Sequence, residues 1–149
     1  MKLAEALQER ADLNRKIAQL RSRLSANATV QEGEKPGEDP AELLAELNGC
    51  IARLEELMAR INLTNSKTVV DGKTLTEWIA RRDALQIKAE AYRELRDSAS
   101  GLARRAQRSE IKILSTVEVR EIQKQADAVS QELRKIDNRI QETNWQTEL

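Results

Sequence analysis

The stretch Val119-Arg-Glu-Ile-Gln-Lys-Gln-Ala-Asp-Ala-Val-Ser-Gln-Glu-Leu-Arg-Lys-Ile-Asp-Asn-Arg-Ile140 decides the fold class of this chain. Its apolar residues, Val119, Ile122, Ala126, Val129, Leu133, Ile136 and Ile140, alternate three and four steps apart with no Gly or Pro between them. That spacing averages about 3.5 residues, the repeat that keeps one stripe of a helix against a partner along its whole length. Such a stripe is a packing surface and contains no chemistry.

The remainder of the composition agrees. Of 149 residues, 34% are charged and none is Phe, so aliphatic side chains must build the core. A chain rich in Ala, Leu, Glu, Arg and Gln has the profile of long helices. Lys plus Arg equals Asp plus Glu at 25 each, so no global field steers the protein towards nucleic acid or an anionic membrane. No stretch approaches the ~18 apolar residues of a membrane span, and residues 1–12 lack the unbroken apolar run of a signal peptide. A cytoplasmic protein with no membrane association is expected. The single cysteine, Cys50, fits a reducing compartment and reads as a small buried helix residue.

Working outward, Leu3, Leu7, Leu13, Ile17, Leu20 and Leu24 predict a first helix to about Ser25, with Arg10 standing where an apolar residue is due. Gly33, Pro36 and Gly37, set among acidic residues, mark a connector. Asp39, Pro40 and Glu42 signal the start of a second helix, striped by Leu43, Leu44, Leu47, Ile51, Leu54, Met58 and Ile61 and expected to end near Leu63. Val69 and Val70 before Asp71-Gly72 predict a two-residue hairpin near 67–75, and Thr74 with Glu77 forms a capping box for a third helix to about Ser100. Arg82 lies on that helix's apolar line. A β-branched strand near 110–114 is expected to join the hairpin, and Ser115 with Glu118 to cap the fourth helix. The fold class is therefore mainly α, one helical domain over 1–149: four long helices in a bundle or coiled-coil-like arrangement with a small β element.

Candidate chemistry is sparse. With no His, the usual general base, triad partner and zinc ligand are missing. No catalytic residue, metal site or cofactor is assigned, although an oxygen-only Mg²⁺ site from Glu55, Glu56 and Asp83 is formally open. The five Gly residues are scattered and none completes the Gly-x-x-x-x-Gly-Lys-Ser/Thr of a phosphate loop, since Lys67 stands five positions before Gly72-Lys-Thr74. Arg10 and Arg82 are the sharpest features, because a guanidinium on a buried seam must be paired. Either each snorkels or pairs with Asp12, Asp83, Glu9 or a partner chain, or they line a polar cavity with Asn14, Asn62 and Asn65 and hold a small anion. The Arg104, Arg105, Arg108 and Lys112 cluster offers phosphate contacts but no aromatic interleaving for stacking. Trp78 and Trp145 read as core or subunit contacts.

Taken in order, Lys2-Leu-Ala-Glu-Ala-Leu7 with Glu9-Arg-Ala-Asp-Leu13, Val30-Gln-Glu-Gly33, Glu38-Asp-Pro40, Ile61-Asn62, Thr64-Asn65, Ser109-Glu-Ile-Lys112, Ser115-Thr-Val117 and the ending Asn144-Trp with Thr147-Glu-Leu149 resemble a small family of uncharacterised bacterial proteins. Some of its members carry the label septicolysin. The resemblance spans essentially the full length and implies an all-helical fold with no established activity. The label itself implies a pore former, and the residues supply neither ~20 apolar positions in a row nor ~10-residue alternating strands. Three functions follow, in order: a non-catalytic helical interaction or scaffold protein that forms at least a homodimer; a small-anion binder or enzyme using Arg10, Asn14, Asn62, Asn65 and Arg82; and a nucleic-acid binder using the Arg104–Lys112 patch.

Overall fold

The aliphatic repeats become helices where they were expected. The computed structural model describes residues 1–101 and 111–149, and among them four helices run over α1 Leu3–Ala26, α2 Pro40–Lys67, α3 Leu75–Ser100 and α4 Val119–Gln146. Strands β1 Val69–Val70 and β2 Lys73–Thr74 form a two-stranded sheet. The mainly α fold with a small β element is thus the observed one.

Local signals account for most boundaries. Asp39 accepts a hydrogen bond from the Ala41 N–H at 3.0 Å, and Pro40 occupies the first turn of α2, where a missing N–H costs nothing. Asp71 and Gly72 both take positive φ, 50° and 81°, which is what a hairpin turn twisted to match its strands requires. Thr74 then caps α3: its hydroxyl accepts from the Glu77 N–H at 3.2 Å while the Glu77 carboxylate accepts from the Thr74 N–H at 2.7 Å.

Three boundaries differ from the sequence reading. Helix α2 continues to Lys67, past the expected stop at Leu63, because Ser66 and Thr68 donate their hydroxyls back to the carbonyls of Leu63 and Thr64, each at 2.8 Å, without leaving helical geometry. Helix α4 starts at Val119, since Ser115 spends its hydroxyl on a local turn with Val117 and makes no capping box. The third strand does not form over 111–114; position 110 lies outside the described residues. β-Branched residues favour a strand only where an edge is there to pair with, and two-residue strands offer little edge. Instead Ile113 and Leu114 line a shallow groove with Leu95, Ser98 and Ala99 near the end of α3.

The chain forms two compact units, residues 1–70 with 143–149, and residues 71–142. In the first, Leu20, Leu43 and Cys50 form a core with Leu13, Ile17, Leu24 and Leu47 against it. As position falls along α2 from Arg53 through Glu46 to Glu38, just before the helix, its ionic partner on α1 rises from Glu9 through Lys16 to Arg23. The two helices are therefore antiparallel. The chain ends join this unit too: Leu3 N–H donates to Thr147 and Leu149 N–H to Met1, both at 2.9 Å, flanking an antiparallel bridge between Lys2 and Glu148.

In the second unit Leu85 and Ala89 of α3 pack on Val129, Ile136 and Ile140 of α4, with Trp78, Ile79, Tyr92 and Leu133 around them. All seven positions of the α4 stripe are buried or half-buried, so its reading holds residue by residue.

Candidate interaction surface

Helix α2 carries two apolar rows, and the fold uses one of them. Leu43, Leu47, Cys50, Leu54, Leu57 and Ile61 lie buried or half-buried, while Leu44, Ile51 and Met58 remain 50%, 46% and 43% exposed. Adjacent helical residues point about 100° apart, so Leu43 and Leu44 cannot face the same neighbour. The sequence reading merged the rows, and the structure corrects it: Leu44, Ile51 and Met58 are not seam residues and Leu57 is, while Cys50 is buried as read. The missed signal was the spacing of seven between Leu44, Ile51 and Met58, repeated one step on by Ala45, Ala52 and Ala59, all exposed. Asn48 and Glu55 lie between the rows and are exposed as well.

Several ionic groups of the first unit hold α1 against α2 and against Glu38 just before it. Arg53 grips Glu9 with two bonds, Nε to Oε1 at 2.7 Å and Nη2 to Oε2 at 3.0 Å, and reaches Glu56 through Nη1 at 3.0 Å. That fork holds the Glu9 carboxyl below its ordinary value and pushes the Arg53 guanidinium up. A groove of about 350 Å³ is lined by Arg23, Gly37, Glu38, Asp39, Glu42, Leu43 and Glu46. Three of its charged residues are paired: Arg23 with Glu38, and Glu46 with Lys16 of α1 at 2.8 Å. A second groove of about 310 Å³, in the other unit, is lined by Lys88, Tyr92, Gln125, Ala128, Val129 and Glu132. There Lys88 lies 5.6 Å from the centre of the Tyr92 ring, and Glu132 accepts from Arg81 at 2.7 Å.

The five residues read as a polar set are placed as follows. Arg10 is half-buried on α1 and Asn14 exposed one turn on; Asn62 is exposed and Asn65 half-buried near the end of α2. Arg82 belongs to the second unit, where it pairs with Asp83 at 3.0 Å and approaches Asp137 at 3.9 Å. Pairing with Asp83 is one of the two roles the sequence offered it. The carboxylates expected beside Arg10 are taken, Glu9 by Arg53 and Asp12 by Arg15. None of the five lines either groove. Among the described residues no buried side-chain polar atom lacks a hydrogen-bond partner, and no three His, Cys, Asp or Glu residues converge on a metal site.

Arg104, Arg105 and Arg108 lie outside the described residues, and Lys112 is exposed. Trp78 packs on the core of the second unit, whereas Trp145 is 58% exposed and is not core. No helix among the described residues is long and apolar enough to cross a membrane.

Residues 10–149 match the model of a family described as "Family of unknown function (DUF6847)". The chain is also similar to a solved structure described as a functionally unknown conserved protein from Corynebacterium diphtheriae. The two share 44% identity and a TM-score of 0.96, over 100% of this chain and 98% of that one. No curated protein matches.

Proposed function

The chain belongs to the family of unknown function DUF6847, and from that premise we propose that it is a non-catalytic helical interaction protein, acting in the cytoplasm and self-associating at least as a dimer. One observation carries this: three large aliphatic side chains at heptad spacing stand about half exposed on α2, while Glu46 and Arg53 of the same helix are committed to α1. A contiguous apolar patch rimmed by polar residues is the usual mark of a protein contact.

Arg10 favours a second function, a small-anion site on the first unit. It is half-buried without a hydrogen bond or ion pair among the described residues, and a guanidinium with no carboxylate partner is open to a carboxylate or phosphate. Native mass spectrometry of the purified protein separates the two, because it reports stoichiometry and bound mass together. Self-association predicts a dimer or larger at micromolar concentration. A bare monomer removes it, and a monomer carrying a retained anion removed by Arg10→Ala would establish the second function instead.

A further inference from the structure

We infer that the outer face of α2 is the site at which a second copy of this chain docks, antiparallel, across a two-fold axis passing between positions 51 and 52. This rests on the self-association proposed above and names the surface that carries it.

The face is continuous. Leu44, Ile51 and Met58 form one exposed row, Ala45, Ala52 and Ala59 another, and Asn48 and Glu55 lie between them. Under the two-fold axis each residue meets a suitable counterpart: Ile51 meets Ile51, Leu44 meets Met58, Ala52 meets Ala52 and Ala45 meets Ala59. The bulky row packs on itself along one edge, and the alanine row lets the backbones approach along the other.

Charge chooses the orientation. Glu55 is the one formal charge among these residues. A parallel pair would set it against its own copy, a like-charge contact at the centre of the strip. The antiparallel pair sets it against the Asn48 amide, which donates to a carboxylate. Extent sets the strength: residues 44–59 span only about 24 Å of helix, which puts the contact in the low interface class of under about 1,200 Å². The dimer is accordingly of micromolar affinity, exchanging with monomer.

Sedimentation velocity on the full chain over a range from about 1 to 200 μM tests this. The wild type is expected to shift from monomer to dimer, and Ile51→Glu, which brings two carboxylates to the axis, to weaken dimerisation at least tenfold with an unchanged circular-dichroism melt. Cysteine cross-linking in a Cys50→Ala background needs no disruption of the contact. Asn48→Cys mixed with Glu55→Cys is expected to give a disulfide-linked pair, while Asn48→Cys alone gives none. A dimer that survives Ile51→Glu, or cross-linking of Asn48→Cys with itself, overturns this surface or its orientation and leaves self-association standing. A monomer throughout overturns both.

Discussion

Gly49 and Gly72 put the same residue to opposite uses. Gly72 sits at φ 81° in the hairpin turn, a region where a side chain clashes with its own backbone. Gly49 lies inside α2 with open space where a Cβ would be, and there it only adds entropy to the unfolded chain. The two alanine substitutions should therefore move stability in opposite directions. Gly49→Ala is expected to stabilise by ~0.5–1 kcal/mol and Gly72→Ala to destabilise by ~1–2 kcal/mol, measured by urea unfolding. A stabilised Gly72→Ala would contradict the turn. Asp71-Gly72 was legible in the sequence because a two-residue hairpin has so few chemical solutions. Arg10 and Arg82 were not, since two guanidinium groups on apolar lines look alike until their neighbours are known. One finds Asp83 and Asp137; for the other, the expected carboxylates are engaged elsewhere.

At the scale of elements, α2 teaches the most. Its start was readable from Asp39 and Pro40, because caps are local chemistry. Its buried face was not, because it is apolar over more of its circumference than one neighbour can cover. Leu57, fully buried, and Met58, 43% exposed, are adjacent in sequence and differ in which side of α2 is covered. The rows should respond differently. Leu57→Ala is expected to cost ~2–5 kcal/mol through lost burial and a residual cavity, whereas Met58→Ala should stay within ~0.5 kcal/mol for the monomer, both by chemical denaturation below the dimerisation range. Equal losses would mean that the exposed row is part of the core. Helix α4 is the opposite case: its narrow stripe with a polar remainder left one face to bury, and that face is buried.

Over the whole molecule, paired carboxylates set the response to pH. Glu9 is held below its ordinary value by the hydrogen bond from Arg53, Glu38 by that from Arg23 and Glu46 by that from Lys16. Glu77 is lowered by the Thr74 backbone N–H and Glu148 by the Lys2 side chain. Each of these groups binds a proton more tightly unfolded than folded. Their stabilisation is present above the unfolded value of 4.5 and is lost as pH falls through the lower folded values. Lys16, raised by Glu46, acts in the other direction: its share is full below 10.5 and is lost as pH rises through its folded value. The urea midpoint should thus be flat between about pH 6 and pH 8 and fall from about pH 4.5 towards pH 3. A midpoint unchanged at pH 3 would show that these pairs contribute nothing, the ordinary fate of an exposed ion pair.

The sequence by itself determined the mainly α class, the four helices among the described residues, the hairpin turn and the seam of α4, because periodicity, caps and positive-φ residues act within a few positions of chain. Tertiary structure alone decided which row of α2 is covered, that the chain ends pair with each other, that residues 111–114 make no strand, and which carboxylates each arginine meets. Burial and ion pairing are relations between segments far apart in sequence, and an apolar side chain carries no mark of which neighbour, or none, will cover it.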